Sequence, residues 1–281
     1  MKIGIIGNGF VGKATFLLKC DELDILAYDV NPKLCNPLGT TLNDLNECQI
    51  IFISVPTPMN PDGSCHLNII QNVLNDLESI KFKNVVVIRS TIPVGTSDTL
   101  QCHFMPEFLT EKNYVEDFIN NKEWYFGLLN NEQDNNFKTK IVNMFNIAFK
   151  YGRIKYNNII FTNNREAEMI KLFRNCFLAT KVSFCNEMAQ YCHTAGVNYE
   201  TVRKYATNDN RILDSHTKVP GPDGKCGFGG TCFPKDIASL KYEIENSGIK
   251  SYILTAAIER NENVDRKEKD WTKDVGRAVI Y

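Results

Sequence analysis

Short, nearly continuous apolar runs alternate with stretches of mixed polarity through the first half of the chain. Lys2-Ile3-Gly4-Ile5-Ile6, Ile25-Leu26-Ala27-Tyr28, Ile50-Ile51-Phe52-Ile53-Ser54-Val55 and Val85-Val86-Val87-Ile88 are the clearest. Strands covered on both faces read this way, so the pattern predicts a buried, mostly parallel sheet flanked by helices. Helices are expected over 13–18, 42–47 and 68–80. A strand-like segment before Met105, a strand at 124–129, a helix at 133–149 and a strand at 159–161 extend the same alternation.

From Asn163 the period changes to that of one long helix, ending near Ala195 where Gly196 supplies a stop. Asn163 and Glu166 have the spacing of a capping box. A helix of this length can join two domains or build a subunit interface. Helices at 199–206, 237–247 and 251–263 follow, with an irregular loop from Asp209 to Gly224 and a charged tail at 265–274. The fold expected is α/β: a Rossmann-type, mostly parallel sheet domain over 1–162, joined by the long helix to a helical domain over 163–281.

The first strand runs into Gly7-Asn8-Gly9-Phe10-Val11-Gly12, and the second ends in Asp29. This is the dinucleotide fingerprint in its required context of strand, glycine turn, helix, strand and acid. Gly7 permits the tight turn, Gly9 lets backbone approach a pyrophosphate, and Gly12 lets helix and strand pack closely. The N–H groups opening the helix favour phosphate. Asp29 is placed to accept hydrogen bonds from ribose hydroxyls and to repel a 2′-phosphate, which favours NAD over NADP; Lys33 nearby weakens that preference slightly. Ligands in such sheets bind beyond the carboxyl ends of strands, where Val55-Pro56-Thr57 and Ser90-Thr91 fall. Thr57 reads equally as a turn cap, and Thr91 more as a functional residue.

Composition changes this picture little. The chain has 281 residues, 43% hydrophobic and 23% charged, with a net charge of −1, so nothing points to nucleic acid or an acidic membrane. No run reaches the roughly 20 apolar residues of a membrane span, and no secretory leader is evident. Ten scattered cysteines without C-x-x-C pairs fit thiols in a reducing cytoplasm. The four histidines show no metal-ligand spacing.

The richest stretch is Gly227-Phe228-Gly229-Gly230-Thr231-Cys232-Phe233-Pro234-Lys235-Asp236. It sets a cysteine at the end of a glycine-rich loop, where it can attack a substrate or lie buried in a tight turn. Lys171 and Asn175 share a face of the long helix, otherwise apolar, and line a cleft or snorkel at a rim.

Together with Val55-Pro56-Thr57-Pro58, Ser90-Thr91-Ile92-Pro93-Val94-Gly95-Thr96, Pro106-Glu107-Phe108-Leu109 and the run from Ala167 to Asn175, these motifs resemble the UDP-glucose/GDP-mannose dehydrogenase family. The matches occur in family order and span nearly the whole chain. The resemblance implies an NAD-dependent, two-step oxidation of a nucleotide-sugar alcohol to a carboxylate, with UDP-glucose favoured over GDP-mannose or a UDP-N-acetylhexosamine. It implies Cys232 as nucleophile, Lys171 and Asn175 at the oxyanion, Glu107 in acid–base and hydrolytic steps, Asp236 in support and Thr91 ordering water. Phe108, Leu109, Phe228 and Gly229 would hold the sugar nucleotide. Arg211 would reach a neighbouring subunit's substrate in a homodimer built on the 163–195 helix. Val55, Glu111 and Lys235 would flank the cofactor, beside Gly7, Gly9, Phe10, Val11, Gly12, Asp29, Lys33, Thr57 and Thr91.

Family members typically carry a third, C-terminal domain that completes the nucleotide pocket. The chain is expected to lack it, with Lys218 and Lys225 or a second subunit compensating, and the segment from Glu111 to Asn163 looks abbreviated. Two other readings compete: a non-catalytic NAD-binding dimer, and a single-step hydroxyacid dehydrogenase, which shares the Lys-x-x-x-Asn pair but has no need of Cys232.

Overall fold

A computed structural model describes residues 1–281. The chain forms two units: Met1–Thr57 with Leu67–Lys171, and Pro58–His66 with Leu172–Tyr281.

The first unit is a seven-stranded sheet of β1 (Lys2–Ile6), β2 (Asp24–Tyr28), β3 (Ile50–Ile53), β4 (Val85–Ile88), β5 (His103–Phe104), β6 (Glu123–Leu128) and β7 (Asn158–Asn163), in the order β2-β1-β3-β4-β5-β6-β7. Every pairing is parallel except β5 with β6. The strand order reverses at β1, whose neighbours are β2 and β3, so its carboxyl end is a topological switch point. The apolar runs are mostly buried, with Ile3, Ile5, Ile50, Phe52 and Val87 fully enclosed. Helices α1 (Phe10–Phe16), α2 (Asn68–Ser79), α3 (Thr96–Thr99), α4 (Tyr114–Ile119) and α5 (Gln133–Lys150) cover the sheet.

The expected strand through Val55 stops at Ile53, and the helix expected at 13–18 starts earlier, at Phe10, directly on the glycine turn. Helix α4 was not expected, being too short to show a period.

Helix α6 (Asn164–Thr194) begins in the first unit and continues into the second. Its capping box is made: the Asn163 side chain accepts the Glu166 N–H at 2.8 Å, and Glu166 accepts the Asn163 N–H at 3.2 Å. The second unit also holds α7 (Tyr199–Ala206), α8 (Phe233–Asn246) and α9 (Tyr252–Arg260), the last running into a π-helical turn over Asn261–Asp265. The charged tail folds, with Trp271 and Arg266 both buried. No helix is long and apolar enough to cross a membrane.

Candidate active site

The glycine turn sits against the loop that follows β3. Gly7 has φ +88°, and a Cβ there would lie 2.7 Å from the Ser54 carbonyl oxygen. A Cβ on Gly12 would lie 2.1 Å from the Gly7 carbonyl oxygen, so helix and turn touch backbone to backbone. Gly9 is different: nothing lies within 4 Å of a Cβ built there. That open approach is what a pyrophosphate needs. Phe10 and Val11 open α1 and are part-buried. Asp29 accepts the Asn8 N–H at 2.7 Å and the Asn31 N–H at 2.8 Å, one on each oxygen, which fixes the carboxylate and leaves each oxygen a further lone pair for a ribose hydroxyl. Lys33 lies exposed in the short 3₁₀ turn Pro32–Leu34. The residues present fit a bound NAD.

Beyond β3 and β4, two loops are tied together. Thr57 Oγ1 donates to the Thr91 carbonyl at 2.7 Å, and Ser90 Oγ donates to the Val55 carbonyl at 2.6 Å. Thr57 thus links one strand-end loop to the other. Next to Ser90, Arg89 is buried and bonds Thr15 Oγ1 in α1. Burial pulls its guanidinium down to about 10, with Glu107 opposing.

After β5 the chain delivers Glu107, whose carboxylate accepts Lys171 Nζ at 2.6 Å and the Leu109 N–H at 2.8 Å. Both side chains are nearly fully buried, at 5% and 3% exposed. A buried ion pair needs such additional donors to offset desolvation. Lys171 also lies 6.0 Å from the Phe108 ring centroid, and Phe108 meets Tyr125 edge-on. Glu107, Phe108, Leu109 and Arg89 line a small cavity of about 20 Å³, room for one water. Glu111 is exposed on the turn beyond.

In the second unit, α8 starts at Phe233, four residues earlier than the start expected at 237, and Cys232 occupies its N-cap position. Pro234 is compatible with the first turn, where an N–H would go unused. The partly exposed sulfur therefore sits at a helix N-terminus, where negative charge is favoured. One turn on, Asp236 is buried and accepts Asn175 Nδ2 and Lys235 Nζ, each at 2.6 Å. Burial works against the Lys235 charge, but Asp236, Cys232 and Cys65 together outweigh it and raise the ammonium above its ordinary value. Phe228 is buried, while Arg211 is exposed and closed onto Asp209.

Three residues without a role in the motif reading hold the cysteine loop. Asn261 exchanges hydrogen bonds with Phe228, accepting its N–H at 2.8 Å and donating to its carbonyl at 2.9 Å. Asn186 accepts the Gly227 N–H at 3.1 Å. Arg266, 3% exposed, is paired with Asp223 and Asp270 and lies against Gly229. The only sequence signal for Asn186 and Asn261 is polarity inside helical runs, and Arg266 is hidden among the charges of the tail.

Two domain models of one family match the chain: the NAD binding domain of the UDP-glucose/GDP-mannose dehydrogenase family over residues 36–146, and its central domain over residues 165–263. The UDP-glucose 6-dehydrogenase of Pseudomonas aeruginosa is 32% identical across 93% of this chain and 65% of its own length. That of Rickettsia conorii is 33% identical across 78% of this chain and 50% of its own length. A UDP-glucose dehydrogenase structure from Pyrobaculum islandicum superposes with a TM-score of 0.76 at 25% identity, covering 93% of this chain and 68% of that one. The chain thus spans about half to two thirds of the length of these curated relatives. Its cofactor is NAD, and the chain belongs to the UDP-glucose/GDP-mannose dehydrogenase family.

Proposed function

We propose that this chain catalyses the two-step oxidation of UDP-glucose to UDP-glucuronate with NAD, as a UDP-glucose 6-dehydrogenase. The observation that carries the reading is Cys232 at the head of α8, with Asp236 one turn behind it held by Asn175 and Lys235. Relatives named for that activity, at 32–33% identity, favour UDP-glucose within the family.

NAD, when bound, accepts the hydride lost at each oxidation. The first step also requires a base for the hydroxyl proton, a role assigned to Glu107. The resulting aldehyde carbon is planar and cannot lose hydride until a nucleophile makes it tetrahedral. Cys232 adds there as thiolate, forming a C–S bond and placing charge on oxygen, which Lys171 and Asn175 stabilise. Loss of the second hydride leaves a thioester. Water, deprotonated by Glu107 and ordered by Thr91, breaks the C–S bond and returns the thiol with a carboxylate product.

The test is NADH yield per UDP-glucose: two for the parent, and at most one for Cys232→Ser, with no carboxylate formed. Full acid production by Cys232→Ser overturns the covalent route, and no NADH from any nucleotide sugar overturns the enzymatic reading in favour of a non-catalytic NAD-binding protein. The same assay with GDP-mannose and UDP-N-acetylhexosamines decides the sugar.

We also infer a homodimer along α6. Phe173, Phe177, Phe184 and Tyr191 are each at least 60% exposed, and 177, 184 and 191 recur at heptad spacing on one helix face. Light scattering checks this: the parent should be a dimer and Phe184→Glu a monomer.

A further inference from the structure

Glu168 has no part in the chemistry above, yet its side chain is among the most enclosed polar groups in the first unit, with 0% exposure. No ion pair is formed by it. Its two oxygens accept two backbone N–H groups instead: Gly95 at 2.5 Å and Ser97 at 2.8 Å. Burial pushes this carboxyl above its ordinary range even though both N–H donors pull the other way. A buried acid kept at such a cost calls for a reason. The reason is geometric. A carboxylate presents two acceptors to two converging donors, whereas an amide would turn its NH₂ toward one of them.

Both donors lie just beyond β4, Gly95 at the end of the loop and Ser97 in the first turn of α3. The loop's near end is pinned at the Thr91 carbonyl by Thr57. Its far end, where Gly95 takes φ +91° and α3 begins, is pinned by Glu168. Thr91 itself carries the near pin, four residues before Gly95. The first turn of α6 reinforces the far pin: Asn164 Nδ2 donates to Asp98 Oδ1 and to the Cys102 carbonyl, both at 3.0 Å, and Arg165 pairs with Asp98. Glu168 precedes Lys171 by three residues, so the two share a helix face.

We propose that Glu168 is a positioning residue for the hydrolytic step, fixing the loop that presents Thr91 in register with the helical turn that presents Lys171. This rests on the two-step reading above. Without the carboxylate, Thr91 can no longer hold water against the thioester, while the hydride transfers, which need no such water, continue.

The experiment uses Glu168→Gln, which keeps the shape, and Glu168→Ala, which removes it, with Arg165→Ala as a control that loosens only the exposed pair to Asp98. Amide exchange of the 90–99 segment should rise about tenfold or more in both Glu168 variants, the scale set by a lost charged hydrogen bond, and little in the control. In stopped flow with UDP-glucose, the Glu168 variants should release NADH in a burst and then slowly, with hydride phases within about threefold of the parent. The control should show no burst. Unchanged exchange in Glu168→Gln, or equal slowing of every phase, overturns the proposal. A chain that reduces no NAD would sink the functional reading instead, and the exchange result would still say whether Glu168 holds the loop.

Discussion

The two glycine-rich loops of this molecule are built in opposite ways. The turn Gly7–Gly12 is defined by its own backbone: Gly12 meets the Gly7 carbonyl oxygen, and Gly7 meets Ser54 just past the adjacent strand. The loop Gly227–Cys232 is defined by side chains far along the sequence: Asn186, Asn261 and Arg266 reach it from α6, the π-helical turn and the segment beyond. In the first, a glycine is required because another main chain stands in the way. In the second, it is required because a polar side chain does. A Cβ on Gly229 would fall 2.6 Å from Arg266 Cζ, and one on Gly227 would fall 2.3 Å from Asn261 Oδ1.

The difference is sharpest in what can be rescued. Gly12→Ala sets a methyl against a carbonyl that has no rotamer to change, so the helix must move off the strand. The expected cost is about 4 kcal/mol or more, in the range reserved for exceptional substitutions, with NADH binding lost. Urea denaturation and fluorescence titration check both, and a fully stable Gly12→Ala protein that binds NADH would erase the contrast. Gly229→Ala should cost less, but here a second change matters: Arg266→Ala ends at Cβ and so removes the Nε and Cζ atoms that the new methyl strikes. Strong non-additivity is expected for that pair, and simple additivity for Gly12→Ala with Arg266→Ala.

A second contrast concerns pH. The first unit buries an imidazole: His103 is 2% exposed, stacked on Phe137 at 3.7 Å, with Nε2 lacking any partner. Desolvation pulls it down to about 4, with Asp134 opposing. The unfolded chain takes up the proton near its ordinary value of about 6.5 and the folded chain only near 4. Stability is therefore intact above 6.5 and falls as pH drops through that window, by about 3 kcal/mol at the acid end. His103→Phe should flatten the slope whatever it does to absolute stability. If the slope persists in that variant, other groups carry it.

How far the sequence could be read follows the same division. The dinucleotide turn, the strand ends bearing Val55, Ser90 and Thr91, and the length of α6 were all legible, because each depends on neighbours within a few residues or on a simple period. The start of α8 was not. Glycines and a proline around Cys232 read as loop, although proline at the second helical position is tolerated and the helix begins at Phe233. Nor were the supports of the cysteine loop legible. Asn261 lies 33 residues from Phe228, and side-chain bonds to a distant backbone leave no periodic trace. Glu168 shows the limit most plainly: it lies inside the run from Ala167 to Asn175, but its two donors are 71 and 73 residues away.

Asn261 puts a size on that long-range support. Asn261→Ala strips both the acceptor and the donor from Phe228, leaving a buried N–H and carbonyl unmatched, at an expected cost of about 2–4 kcal/mol by hydrogen-bond deletion. The locally specified counterpart is the capping box of α6. Glu166→Ala leaves the Asn163 N–H to water, since the site is exposed, so only about 1 kcal/mol should be lost. Denaturant midpoints of the two variants measure the ratio directly. A distant clamp on buried backbone should outweigh a local cap on exposed backbone by more than the two hydrogen bonds lost against one, because water replaces what is lost in one case and cannot reach it in the other. Equal midpoints would mean that solvent enters beneath the cysteine loop as freely as it meets the head of α6.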